Sequence, residues 1–194
     1  PLLVVTKSDM VVRDIDIFKQ TQTVVAVTIT TPREEIASLI EPHAPPPEKR
    51  LSALQKIVEN GVPAVSRIDP ILQGLNDDLR DLEDLVSSLA NVGVRQVTVS
   101  TMKLAKGVFS EMKQTSPQVW KRLVDEYVDG VWLAGYKYLH VEKRRKILER
   151  LRTIVLKHGL GFASCREGFP ELNTASCDGS EYCRRTWSLS CASI

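Results

Sequence analysis

Thr23-Val24-Val25-Ala26-Val27-Thr28-Ile29-Thr30, followed directly by Thr31-Pro32-Arg33-Glu34, decides the fold class. The first eight residues are β-branched or small, with no charged side, the pattern of a strand buried on both faces. The next four read as a capping box with Pro32 at the first helical position, so a helix carrying Ile36, Leu39 and Ile40 is expected. A buried strand that feeds straight into an amphipathic helix is half of a crossover unit. Such units pair their strands in parallel.

The same alternation continues outward in both directions. Upstream, Leu2-Leu3-Val4-Val5 is a short apolar strand, and Thr6-Lys7-Ser8-Asp9 opens a helical pattern with Val11, Val12, Ile15 and Phe18 on one side. Downstream, Glu41-Pro42-His43-Ala44-Pro45-Pro46-Pro47 excludes a helix and reads as an exposed link. A helix is expected over 48–60, with Gly61 ending it, and a third strand from Val62 to Arg67. After a loop over 69–77, Asn76 or Asp77 is expected to cap a helix containing Leu79, Leu82, Val86 and Leu89. A fourth strand runs from Val94 to Ser100.

Four such units in about a hundred residues predict an α/β fold, a partial parallel β/α barrel, roughly half of a closed eight-unit barrel. A doubly wound sheet is the alternative, but no Gly-rich phosphate loop supports it. From Met102 the rhythm becomes helical, with helices expected over 102–114, 117–129 and 141–157 and a last strand from Leu160 to Ala163. The expected division is a partial barrel over 1–104, a helical extension over 105–163 and a Cys-rich tail over 164–194.

Composition narrows the class further. The chain has 194 residues, 26 Lys+Arg against 24 Asp+Glu and four cysteines, ordinary globular values. No apolar run approaches the about eighteen residues a membrane helix needs, so no membrane partner is expected. A net charge of +2 does not by itself argue for nucleic acid. Pro1 is followed at once by a strand, without the basic and small-residue flanks of a signal peptide. A cytoplasmic, reducing location is therefore expected, with further chain ahead of Pro1.

In β/α barrels, chemistry sits where strands end. Those positions hold Thr6, Lys7 and Ser8; Thr28, Thr30 and Thr31; Ser66, Arg67 and Asp69; and Ser100, Thr101 and Lys103. Hydroxyls and cations suit a ligand with carboxylate, ribose or phosphate groups. The paired acids of a glycosidase are missing. Each residue alone reads more readily as a cap or solvated side chain. The cysteines stand at Cys165, Cys177, Cys183 and Cys191, a spacing that matches no common zinc pattern. With few apolar residues around them, bound zinc or iron is expected to order the tail, against the plain alternative of free thiols. The seven basic residues between Lys143 and Lys157 read first as a solvated helix face, and second as a phosphate track.

Taken in order, "VVTKSDMVVRDIDIF", "VAVTITT", "EPHAPPPEKRLSALQKIVENGVPAVSRIDPILQGLNDD" and "VRQVTVSTMKL" resemble the later half of a radical S-adenosylmethionine protein. The branch is that of DNA repair photolyase-like proteins related to spore photoproduct lyase. The resemblance covers residues 1–104. It implies a partial (β/α)6 barrel and a 4Fe–4S cluster held by a Cys-x3-Cys-x2-Cys loop. The implied lyase-type chemistry is reductive cleavage of S-adenosylmethionine to a 5′-deoxyadenosyl radical, with DNA or RNA as substrate class. By position, Lys7 and Ser8 resemble residues contacting the cofactor's methionine and ribose, and Thr28 and Thr30 the next strand's polar contacts. Arg67 and Asp69 take the place near the adenosine or substrate. No Cys-x3-Cys-x2-Cys stands in this chain. Its expected role is thus the inactive C-terminal part of such an enzyme, completed by the missing barrel half or another chain. The alternative is a non-catalytic binding module with a metal-binding Cys tail.

Overall fold

The computed structural model describes residues 1–183. The chain begins with β1 (Leu2–Thr6), a 3-10 turn (Asp9–Asp14) and α1 (Ile15–Lys19). β2 (Thr23–Thr28), α2 (Glu34–Ile40), α3 (Pro47–Glu59), β3 (Ala64–Ile71), α4 (Leu79–Val92) and β4 (Gln96–Thr101) follow. An excursion comes next: β5 (Leu104–Ala105), α5 (Lys106–Thr115), α6 (Pro117–Leu123), and the strands β6 (Val131–Leu133) and β7 (Tyr136–Tyr138). Then α7 (Val141–Lys157) and β8 (Gly161–Ser164) return the chain to the main sheet.

That sheet has five strands in the order β1-β2-β3-β4-β8, every pair parallel, as expected for part of a β/α barrel. All six residues of β2 are buried, which is why its sequence shows no polar side. Side chains alternate across the sheet. Val25, Val27, Ala64, Ile68, Val97, Val99 and Phe162 face the helices and pack with Leu54, Ile57, Leu82, Val86, Leu89, Leu148, Leu151 and Val155 into one core. The opposite, concave face carries Val24, Ala26, Thr28, Val65, Arg67, Gln96, Thr98 and Ala163. It is half apolar and half polar.

Helix boundaries follow local chemistry. α2 starts at Glu34 behind Arg33, and Thr31 Oγ1 accepts from Arg33 N at 3.2 Å, so the expected box over 31–34 is a turn ahead of the helix. α4 is capped by Asp78, whose Oδ1 accepts from Arg80 N at 2.9 Å and Asp81 N at 3.1 Å. Asn76, expected as that cap, is instead buried: it accepts from Leu72 N at 2.6 Å and donates to Thr30 O and Pro70 O at 2.9 and 3.1 Å. It stitches the end of β3 to the segment after β2. Asn76→Ala strands three backbone groups, one amide and two carbonyls. The expected loss is about 1–3 kcal/mol, read as a lower urea midpoint at unchanged slope.

Three further differences have physical reasons. β3 runs to Ile71, beyond the expected end at Arg67, because its register shifts between Ile68 and Ile71 and so accommodates the cis Asp69–Pro70 bond. The expected helix over 117–129 stops at Leu123; after a 3-10 turn (Asp125–Tyr127), β6 and β7 form a hairpin with β5 at its side. Its turn residues Ala134 and Gly135 both adopt positive φ, the conformation of a tight two-residue hairpin. Finally, β8 pairs with β4, so the parallel sheet extends past the expected division at 104.

Candidate functional site

Because the strands are parallel, all their C-terminal ends lie along one rim. At β1, Ser8 accepts from Met10 N and caps the 3-10 turn, while Lys7 places Nζ 2.8 Å from Glu41 Oε1, an ion contact. Glu41 is buried and paired on its other oxygen with Arg50, whose side chain is 1% exposed. Arg50 Nη1 donates to Glu41 Oε2 at 2.6 Å and to Thr28 O at 2.9 Å, and Nε donates to Pro45 O at 2.7 Å. The Glu41 and Arg50 of the Pro-rich stretch are therefore scaffold: they pin the 41–47 link against the end of β2. Two cavities open beside them. One, of about 640 Å³, is lined by Thr6, Lys7, Ser8, Glu41 and His43; the other, of about 290 Å³, lies between Lys7, Glu41, Leu72, Met102 and Met112.

Thr28 and Thr30 are buried. Thr28 gives its carbonyl to Arg50 and Thr30 its carbonyl to Asn76, and the Thr30 hydroxyl has no partner among the described residues. Arg67 and Asp69 form an ion pair at 2.6 Å on the concave side of β3. Burial works against the Arg67 charge, and Asp69 with Cys165 outweighs it, so its pKa stands above the ordinary value. Lys7 and Arg67 thus sit on the same rim but serve different partners: Lys7 lines the two cavities and Arg67 turns to Asp69 and Cys177.

A second rim cluster was not legible in the sequence. The Glu167 side chain is 0% exposed and accepts from Thr101 N at 2.7 Å and Lys103 Nζ at 2.7 Å, with Arg144 Nη1 at 3.2 Å. Lys103 and Arg144 both also lie over the Tyr138 ring. Glu167 joins β4, the residues after β8, and α7. The rest of the α7 basic face is largely spent inside the molecule. Lys143 pairs with Glu126 and Asp129, Arg145 with Glu149 and Glu171, and Lys157 with Glu83, while Arg152 donates to Leu172 O.

The cysteine segment is ordered differently from the expectation. Residues 173–183 form a strap across the concave face. Asn173 Oδ1 accepts from Ser164 N, Ser176 O from Gln96 Nε2 at 2.7 Å, and Cys177 O from Thr98 Oγ1 at 3.1 Å and Arg67 Nη1 at 3.4 Å. Gly179 has φ +67°, and a Cβ there would come within 3.1 Å of Val65, so only glycine lets the strap lie this close. Cys183 is buried against Val24, Ala26 and Val65, its thiol toward Gln22 O, apart from Cys165 and Cys177. The described residues contain no group of three or more His, Cys, Asp or Glu placed to hold a metal. A site shared by Cys165, Cys177 and Cys183 is therefore not formed; Cys191 lies outside the described residues. Hydrogen bonds to the sheet and burial of Phe169, Leu172 and Cys183 hold this segment against the concave face. No helix of the described chain is long and apolar enough to cross a membrane.

No family model matches the chain. It is 33% identical over 133 residues to an uncharacterized protein of Acidianus two-tailed virus, covering 66% of this chain and 43% of that one. An uncharacterized protein of Mycobacterium tuberculosis is 26% identical over 168 residues, covering 82% and 48%. The chain spans less than half the length of these curated relatives. Among solved structures, a mutant of spore photoproduct lyase superposes with TM-score 0.67 at 18% identity, over 84% of this chain and 50% of that one. A second mutant of that enzyme, with bound AdoMet and dinucleoside spore photoproduct, gives 0.64 at 20% over the same shares. The fold is thus an α/β partial parallel barrel, shared with half of spore photoproduct lyase.

Proposed function

We propose that this chain is the C-terminal barrel portion of a radical S-adenosylmethionine enzyme of the photolyase-like branch. The whole enzyme would reductively cleave S-adenosylmethionine to a 5′-deoxyadenosyl radical and act on DNA or RNA. One observation carries the reading. Five parallel strands align their ends on a rim that collects Lys7, Thr30, Arg67 and Asp69, the positions singled out by the resemblance, while the β1 edge stays open. Among the described residues β1 pairs only with β2, and Leu2, Leu3 and Val5 are exposed there. An open apolar edge is a place for a further strand to add, which supports a barrel half contributed by more chain or by another protein.

The residues present do not fit the iron–sulfur cluster. Three thiolates on one loop are needed to leave one iron open, and this chain has no such loop. For S-adenosylmethionine the fit is better. The Lys7 side chain is 42% exposed beside Glu41 and its ammonium suits a carboxylate, and Asp69 beside Arg67 can accept from an amine or hydroxyl. When bound, that cofactor supplies the radical precursor; these residues would hold and orient it.

The second reading is a non-catalytic binding module. It is favoured by the internal pairing of Lys7 with Glu41 and of Arg67 with Asp69, which already gives each cation a carboxylate of the protein. The gene upstream of Pro1 separates the two. A Cys-x3-Cys-x2-Cys in frame supports the enzyme portion, and a start codon at or just before Pro1 supports the module.

A further inference from the structure

Cys165 and Cys177 belong to different segments and meet on the concave face. Cys165 directly follows β8, and its N–H donates to Val99 O at 3.0 Å. Cys177 sits on the strap, and its carbonyl accepts from the hydroxyl of Thr98, the residue before Val99 on β4. Both backbones are therefore tied to adjacent positions of one rigid central strand. Arg67 Nη1 donates to Cys177 O at 3.4 Å on the same face, and the two thiols lie near enough to each other and to the Arg67 guanidinium to interact electrostatically. Both thiols are unbridged and half-buried, open to a small molecule, whereas Cys183 is buried. Nothing in the proposed function uses this pair.

We propose that Cys165 and Cys177 are a reactive dithiol that exchanges with low-molecular-weight disulfides of the glutathione class and closes into an intrachain disulfide, locking the 173–183 strap over the concave face. Cys165 is the entry point, because Cys177 is the thiol whose ionisation the site opposes. Burial, and then the neighbouring Cys165, push the Cys177 thiol up, so it stays protonated and acts second. The Cys165 thiolate attacks one sulfur of glutathione disulfide, the S–S bond breaks, and one glutathione thiolate leaves and takes a proton from water. Cys177 then loses its proton and attacks the Cys165 sulfur, expelling the second glutathione. Two cysteine thiols and one glutathione disulfide become one cystine and two glutathione thiols.

The reach of the clamp follows from the strap. It covers Arg67, Gln96 and Thr98 and carries Cys183 onto Val24 and Val65. A bond at Cys177 holds the strap down at its middle, so local opening that exposes Cys183 becomes rarer. The dithiol form leaves that opening free, which makes access to the Arg67–Asp69 pair dependent on redox state.

The test uses the full 194-residue chain. It is incubated across a series of oxidised-to-reduced glutathione ratios, acid-quenched, alkylated in denaturant and mapped by mass spectrometry. The expected product is a Cys165–Cys177 linked peptide two hydrogens lighter than its dithiol, with Cys183 and Cys191 alkylated. In Cys177→Ser the expected product is a glutathione adduct held at Cys165. Native alkylation of Cys183 should slow on the order of tenfold in the oxidised chain. Full alkylation of all cysteines at the oxidising end, or linkage of another pair, overturns the dithiol. A Cys165–Cys177 link with no change in Cys183 labelling overturns the clamp.

Discussion

Arg50→Ala is expected to destabilise the chain by about 3–5 kcal/mol, because removing one partner of a buried pair leaves the other charge uncompensated. The guanidinium satisfies Glu41 Oε2, Thr28 O and Pro45 O together, and only Lys7 remains near Glu41 after its loss. On a chain of this size that is a drop of roughly 6–20 °C in Tm. Arg50→Lys should fall between, since an ammonium keeps the charge but not the fork that spans three acceptors. Arg13→Ala is the control. Its pair with Asp14 is exposed and next to it in sequence, so solvent screens it and its loss should change the midpoint far less than the loss of Arg50. Thermal and urea unfolding of the three variants check this. Equal effects at Arg50 and Arg13 would contradict the scaffold role given to the buried pair.

Glu167→Ala should cost a similar amount, about 3–5 kcal/mol, for the opposite charge reason. It leaves two cations, Lys103 and Arg144, mostly buried without their shared carboxylate, and strips Thr101 N of its acceptor. Glu167→Gln keeps an oxygen for Thr101 N and is expected to lose less. Lys103→Met in the Glu167→Ala background should recover part of the loss, because it removes one uncompensated cation. Urea midpoints across this cycle decide it; strict additivity of the two substitutions would refute a shared network.

The parallel sheet was legible because its signal is local. A doubly buried strand such as Thr23–Thr28 needs only apolar β-branched residues in a row, and the helices between strands announce themselves by spacing. The ends of β3 were not, since Pro70 reads as a break unless the register shift that houses it is known. The β6–β7 hairpin was missed because its strands have three residues each, too few for a period to show. Its available signal was Ala134-Gly135 between aromatic and β-branched neighbours. Glu167 was invisible for another reason: Thr101 and Lys103 lie more than sixty residues away, and no local pattern marks the meeting. The strap's packing was not legible. Counting apolar side chains between Ser164 and Ile194 pointed to a metal, yet Gln96 and Thr98, polar residues on a central strand, already marked an inner face needing polar cover.

Of the strand-end residues, the positions were legible and the partners were not. Ser8 proves to be a cap, Thr28 gives its carbonyl to the buried Arg50, and Lys7, Thr30, Arg67 and Asp69 remain as the rim set. Whether that rim serves radical chemistry is decided by one measurement: 5′-deoxyadenosine formation from S-adenosylmethionine under anaerobic conditions with dithionite, after reconstitution with iron and sulfide. The account predicts none from the 194-residue chain and formation from the same chain joined to the segment encoded upstream of Pro1. Turnover by the chain alone, or none from the joined protein carrying a full thiolate triad, would contradict it.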